Sequence, residues 1–270
     1  MHPYFNQQEL DWLKAQLGDL LSVSPILNSH TNQCFEVRFI PQPALAHKQP
    51  NTVLVKKLNT KILSPQSILN ERAARRWVQQ YKSHLTPTTL AENEQLGLIV
   101  DSFIEQIPQH NKAQQINQLA KLMFALHQLP KPETPAILKQ QIYTDIKNLL
   151  IELNLNPDKY GDLLQAAYKL DQQNRQLCLC HGDLSFENIL FAEQHYLIDW
   201  EYARLGEPEY DLAASILINQ FSETEQQSLL NCYAKLAHQD LTELSQHTQN
   251  YLMVLKPLNQ LWFNHKHQLQ

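Results

Sequence analysis

The stretch Cys180-His181-Gly182-Asp183-Leu-Ser-Phe-Glu-Asn188-Ile-Leu190, followed by Tyr196-Leu-Ile-Asp199-Trp-Glu201-Tyr202-Ala203, concentrates oxygen donors at spacings that can do chemistry. The apolar runs 189–191 and 196–198 flank a turn at 192–195 and read as a β-hairpin. Asn188 enters one strand where Asp199 leaves the other, so an amide oxygen and a carboxylate share one end of the hairpin. That pair makes a hard-oxygen site suited to Mg²⁺ that substrate phosphates also hold. Asp183, on the loop five residues before Asn188, is placed to accept a proton from an attacking hydroxyl. The bland alternative makes His181 and Asp183 turn residues and Asn188 a strand-edge amide.

Such a loop needs elements to hold it. Leu10, Leu13, Leu17, Leu20 and Leu21 recur at helical spacing and predict a helix over 8–21. Cys34–Ile40 and Thr52–Leu58 are short and rich in β-branched and aromatic residues, and the Pro and Asn residues between them supply a turn, so they predict an antiparallel pair. Ser64-Pro65 is a helix start, with Leu69, Ala73 and Trp77 on one face. Residues 98–104 predict another strand. Beyond residue 105 the period becomes helical: Ile116, Leu119, Ala120, Met123 and Leu126 lead to a stop at Pro130, and 136–153, 161–171, 212–218, 224–237 and 241–264 also read as helices. One β-like stretch, Leu177–Ile198, interrupts them. Asp211 reads locally as the N-cap of the helix over 212–218. The expected architecture is α+β, with a β-rich part over 1–105, a helical part over 106–270 and a ligand cleft between them.

Composition narrows the partners. With 43% hydrophobic and 18% charged residues, the chain falls in the globular range. A formal net charge of −5 gives no reason to expect nucleic acid or an anionic membrane. The four cysteines fit no disulfide framework or zinc knuckle, and we read them as buried thiols in a reducing compartment. No apolar run is long enough to span a bilayer and no leader pattern opens the chain, which predicts a cytoplasmic protein. Only five glycines occur, at 18, 97, 161, 182 and 206, too scattered for a Rossmann fingerprint or a Walker A loop. Oligomeric state leaves no trace in the sequence.

The order H-x-D-x₄-N, then an apolar-apolar-Asp strand end, resembles the catalytic and metal-binding segments of protein-kinase-like enzymes. The narrower wording is His181-Gly-Asp-Leu, Asn188-Ile-Leu, Ile198-Asp-Trp-Glu-Tyr-Ala203, Gly206-Glu-Pro208 and Asp211-Leu-Ala213. It resembles the aminoglycoside phosphotransferase and choline kinase superfamily, and is most similar to the kinases of choline, ethanolamine and thiamine. The resemblance implies a bilobal protein-kinase-like fold that takes ATP and Mg²⁺ and phosphorylates the hydroxyl of a small-molecule alcohol. It makes Asp183 the catalytic base and Asn188 and Asp199 the metal ligands.

In the first part of the chain the resemblance implies that Lys56, on the strand face of Leu54, meets the nucleotide phosphates and pairs with Glu71. The bland alternatives are a solvated edge lysine and an i,i+4 pair of Glu71 with Arg75. Residues 98–105, with Asp101 and Phe103, resemble the hinge whose backbone contacts adenine. Where related enzymes cover phosphate with a glycine-containing loop, this chain has Leu27-Asn-Ser-His-Thr-Asn32, so Ser29, Thr31 and Asn32 side chains become the candidate contacts. His127 reads as a packed helix-end histidine. Glu201 and Tyr202 follow the metal aspartate into the cleft and, with Trp262, are candidates for a cage around a small cation, to which Tyr251 and Phe263 are weaker additions. Their alternative is core packing. The competing functions are an aminoglycoside kinase and a catalytically silent nucleotide-binding regulator.

Overall fold

The computed structural model describes residues 3–26, 32–41, 51–59, 65–109, 111–133, 136–173 and 175–266, with the side chains of the last helix described as far as Leu261. Helix α1 (Gln7–Leu17) opens with a capping box: Asn6 accepts from the Glu9 amide, and Glu9 accepts from the Asn6 amide at 2.8 Å. It ends earlier than the leucine spacing predicts. Gly18 adopts φ 114°, and Leu20 and Leu21 belong to strand β1 (Gly18–Ile26), where Leu21 is exposed.

Strands β2 (Gln33–Pro41) and β3 (Thr52–Lys57) pair antiparallel as expected, but within a larger sheet. With β4 (Thr89–Asn93) and β5 (Leu98–Ser102) they form five strands in the order β1-β2-β3-β5-β4. One face carries Phe35, Val37, Phe39, Val53, Val55, Leu98 and Val100, buried with Leu13 and Leu17 of α1. The other face mixes charged and apolar residues. Lys56 lies opposite Ile99, and Leu54 lies opposite Asp101, toward helix α2 (Pro65–Lys82).

The buried face of α2 lies one residue away from the expected one. Asn70, Glu71, Ala74 and Val78 are buried, whereas Leu69 is 48% exposed. Ion pairs rotate the helix this way: Glu71 with Lys56, Arg75 with Asp101, and Arg72 with Glu92. Ser64, the expected N-cap, lies outside the described residues.

Helices α3 (Lys112–His127), α4 (Ile142–Glu152), α5 (Gly161–Asp171), α6 (Pro208–Ile218), α7 (Glu223–Ala237) and α8 (Leu241–Lys266) build the rest. The helix expected from residue 136 begins only at Ile142, because Lys139 bridges to Leu205 instead. The β-like stretch resolves into β6 (Cys178–Cys180) and the hairpin β7 (Ile189–Leu190) and β8 (Tyr196–Leu197). Strand β6 pairs with β9 (Arg204–Gly206), which the sequence reading did not register. Cys178 and Cys180 are buried, but Cys34 and Cys232 are only half-buried. Among the described residues, no helix is long and apolar enough to cross a membrane.

One core joins α2, α3, α6, α7 and the hairpin around fully buried Trp200, and another joins α4, α5, α6 and α8. The Trp200 ring stacks on His181 at 4.5 Å between centroids, and its indole N–H donates to Thr86 at 3.2 Å. Phe39, 1% exposed, belongs to a third core, between the sheet and α1. Phe39→Ala should lower stability by about 3 to 5 kcal/mol in urea unfolding, with the slope of the transition unchanged.

Candidate active site

Asp183 lies on the loop between β6 and a short 3₁₀ turn, Phe186–Asn188, that Ser185 caps by accepting from the Asn188 amide. The Asn188 side-chain amide donates to Asp183 twice, to the backbone oxygen at 2.8 Å and to Oδ2 at 2.9 Å. Its two N–H groups thus fix Asp183, and its own oxygen is the group left over as an acceptor. Ile198 donates its backbone N–H to the Asn188 carbonyl at 3.0 Å, joining the two ends of the hairpin as expected. Asp199 follows in the left-handed region, φ 67°, a conformation uncommon outside glycine and often found at sites.

Asp199 accepts from Lys56 Nζ through Oδ1 at 2.9 Å, and the same ammonium donates to Glu71 at 2.6 Å. The expected Lys56–Glu71 pair is therefore present, and Glu71 does not pair with Arg75. Burial pushes the Asp199 carboxyl up, but the Lys56 charge and hydrogen bond outweigh it and hold the group below the ordinary range. For Asp183 the balance is opposite. Burial raises its pKa despite nearby His181 and the Asn188 bond, which suits a proton acceptor.

His181 is neutral by geometry and by burial. Its Nε2–H donates to the Ile198 carbonyl at 3.0 Å, Nδ1 accepts from the Asp183 amide at 3.4 Å, and burial lowers its pKa. It braces the loop without titrating near it.

Asp211 departs from its expected role. The N-cap position of α6 is Glu207, and Asp211 lies one turn in, with its carboxylate turned to the catalytic loop. It accepts from the backbone amides of His181 at 2.8 Å and Gly182 at 2.7 Å, and meets His127 Nε2 at 3.1 Å. Burial opposes its charge, but His127 and the two amides leave the carboxyl below the ordinary value. The Asp211-Leu-Ala string carried this signal, which the local capping rule masked. His127 is a packed histidine, as expected, and also donates to or accepts from Tyr233 at 2.7 Å.

Asn70 was missed altogether. Its amide donates to the Ala203 carbonyl at 2.6 Å and its oxygen accepts from Leu138, joining α2 to the turn after Asp199. A buried Asn inside a helix, beside Glu71, was the available clue.

Glu201 and Tyr202 occupy a 3₁₀ turn, Trp200–Tyr202, directly after Asp199. Glu201 Oε2 is buried with no hydrogen-bond partner among the described residues, and burial, then the charge of Asp199, pushes the carboxyl up to about 7. Tyr202 is 43% exposed. The Trp262 and Phe263 side chains, and Ser29 and Thr31, lie outside the described residues. Tyr251 is 3% exposed and donates to Glu207, so it is a core residue. Asn32 is buried and accepts from the Asn59 amide at 3.1 Å, so its oxygen serves the sheet. The Asp101 carboxylate is taken by Thr89 at 2.8 Å and Arg75 at 3.3 Å, and its strand is paired on both edges. The strand ends at Ser102, before half-buried Phe103.

A lysine and glutamate under an antiparallel sheet, facing a loop and hairpin that carry Asp183, Asn188 and Asp199, define a phosphotransferase of the protein-kinase-like fold. The chain belongs to the phosphotransferase enzyme family, whose sequence model matches residues 44–247. Protein LicA of Haemophilus influenzae is 34% identical over 80 residues, a stretch amounting to 28% of this chain and 30% of that protein. The choline kinase LicA of Streptococcus pneumoniae has a similar structure, with a TM-score of 0.62 at 19% identity over 92% of this chain and 89% of that one. So does the ADP-bound aminoglycoside phosphotransferase APH(2'')-Ib, with a TM-score of 0.62 at 13% identity over 92% and 86%.

Gly182 joins the catalytic loop to the turn after Asp199. It has φ 83°, and a Cβ there would stand 2.4 Å from the Tyr202 carbonyl oxygen. Gly182→Ala should therefore displace the loop and lower phosphotransfer turnover by about 100-fold, with the far-UV spectrum retained. Turnover within about threefold of the parent would show that the loop tolerates displacement.

Proposed function

We propose that the chain transfers the γ-phosphoryl group of ATP to the hydroxyl of a small cationic alcohol of the choline and ethanolamine kind. The observation that carries this reading is Glu201: a buried carboxylate oxygen without a partner among the described residues, two residues after Asp199 and beside half-exposed Tyr202. An unpaired buried carboxylate is costly, and a cationic ligand offsets that cost. Choline kinases among its structural neighbours support the same reading.

Residues 1–105 form the nucleotide lobe and 106–270 the substrate lobe, with the backbone from Phe103 as the hinge. Two of the three donors on the Lys56 ammonium are held by Glu71 and Asp199, which leaves the third for phosphate. Mg²⁺ fits the donor set, since Asn188 and Asp199 present hard oxygens at one end of the hairpin; when bound it neutralises phosphate charge. Asp183, fixed by Asn188 and by His181, orients the acceptor hydroxyl and takes its proton.

A catalytically silent regulator is disfavoured by the intact Asp183, Asn188, Asp199, Lys56 and Glu71 arrangement. An aminoglycoside kinase would bring several ammonium groups, whereas Glu201 alone, beside half-exposed Tyr202, suits one cation.

The deciding experiment is a coupled assay with ATP across choline, ethanolamine, thiamine, aminoglycosides and the neutral isostere of choline in which carbon replaces nitrogen. Choline-like alcohols should be used with a KM about tenfold or more below that of the isostere, equivalent to about 1.4 kcal/mol. Equal use of both removes the cation pocket. Asp183→Asn should lower turnover by about two orders of magnitude or more and spare nucleotide affinity by calorimetry.

The pKa of Glu201 adds a signature. Below about 7 the group is largely neutral, and above that it is anionic, so it attracts a cation more strongly as pH rises. The KM for a cationic acceptor of constant charge should fall by about tenfold from pH 6 to pH 8, and Glu201→Gln should flatten that dependence. A slope preserved in the Gln variant would assign the titration to another group.

A further inference from the structure

Beside Asp211 and β6, the strand that leads into His181, lies a cluster that the proposed phosphotransfer does not use. Cys178 and Cys180 alternate along β6 so that both side chains leave the strand on one face, and the two sulfurs stand 3.8 Å apart. His127, at the end of α3, brings a ring nitrogen to them: one ligand atom from each of the three residues lies within 4.8 Å of the others. All three residues are buried, at 7%, 6% and 0% exposure for His127, Cys178 and Cys180.

The dimensions suit a particular class of ion. Two thiolates on a tetrahedral d¹⁰ cation, with metal–sulfur bonds of about 2.3 Å, stand about 3.8 Å from each other, and a thiolate and an imidazole nitrogen about 3.6 Å. The sulfurs already have that spacing, and the imidazole needs to approach by at most about 1 Å. Each thiol directs its proton at a backbone carbonyl, Cys178 to Gly206 at 3.5 Å and Cys180 to Glu207 at 3.3 Å. Gln140 closes the cluster. Its side-chain oxygen and Cys180 Sγ abut the same point beside Gly206, and its buried amide nitrogen has no partner among the described residues.

We propose that His127, Cys178 and Cys180 form a binding site for one thiophilic divalent cation of the Zn²⁺ and Cd²⁺ class, and that its occupation loosens the catalytic loop. Binding converts two thiols to thiolates, whose protons pass to solvent, and each ligand atom gives a lone pair to the metal. No oxidation is involved. The coupling follows from geometry. Both ring nitrogens of His127 are engaged, with Tyr233 and Asp211, so ligation takes one of these contacts away and pulls the ring from its present seat. Asp211 holds the amides of His181 and Gly182, and β6 runs directly into His181. A hard ion such as Mg²⁺ prefers oxygen and does not compete for this set.

The test is a titration of the whole chain with Cd²⁺ in excess Mg²⁺, under reducing conditions. It is followed by the thiolate-to-metal charge-transfer band and by hydrogen–deuterium exchange of the peptide spanning 181–183. Neither readout depends on which alcohol is phosphorylated. The expected result is a band that saturates at one equivalent, with faster exchange at His181 and Gly182 over the same range. Both should vanish in Cys178→Ala/Cys180→Ala and persist in Cys34→Ser/Cys232→Ser. A band that survives in the first variant, or depends on the second pair, overturns the site. Unchanged exchange at saturating Cd²⁺ overturns the coupling. If the Ala variant does not fold, the parent decides alone: absence of a band at several equivalents refutes the proposal.

Discussion

The buried ammonium of Lys56 is the point on which the site depends. It is held by one carboxylate from α2 and another from the turn after the hairpin, so a single charge unites three segments far apart in sequence. An isolated charge in such a place would shed its proton, whereas two carboxylates within hydrogen-bond reach keep it cationic. The dependence is mutual. Without Lys56, Glu71 would be a buried anion with an oxygen already unpartnered, and Asp199 would lose what keeps it ionised.

A second layer of order surrounds the reacting groups and uses no charge change. His181 remains neutral between the Ile198 carbonyl and the Asp183 amide, with its ring on Trp200. Asp211 supplies the anion that gathers the loop amides from behind. Burial moves the Asp183 and Glu201 carboxyls upward, while Lys56 holds Asp199, between them in sequence, down.

The local part of the candidate site was legible in the sequence. The loop, the hairpin and the register of Lys56 against Leu54 are set by residues a few positions apart, and the structure places them together with the expected Glu71. What escaped depends on distant partners. Leu20 and Leu21 continue the helical spacing of α1, but Gly18 and pairing with β2 turn them into a strand. Strand β9 is three residues long, too short to leave a period. The face of α2 was misplaced by one residue because apolar positions were counted, while ion pairs decide which side points inward. Asp211 has capping chemistry in its sequence neighbourhood and a different partner in space.

Asn70 gives the molecule a mechanical asymmetry. Its amide fastens α2 to Ala203 and Leu138, while the same helix grips β3 through Glu71, β5 through Arg75 and β4 through Arg72. The half of the sheet nearest α2 is therefore riveted to the helical body, and β1 and β2, at the other end of the strand order, carry no such fastening to it among the described ion pairs. The sheet is thus anchored unevenly: Lys56 sits in the half fastened to the helical body, and α1 backs the half that is not.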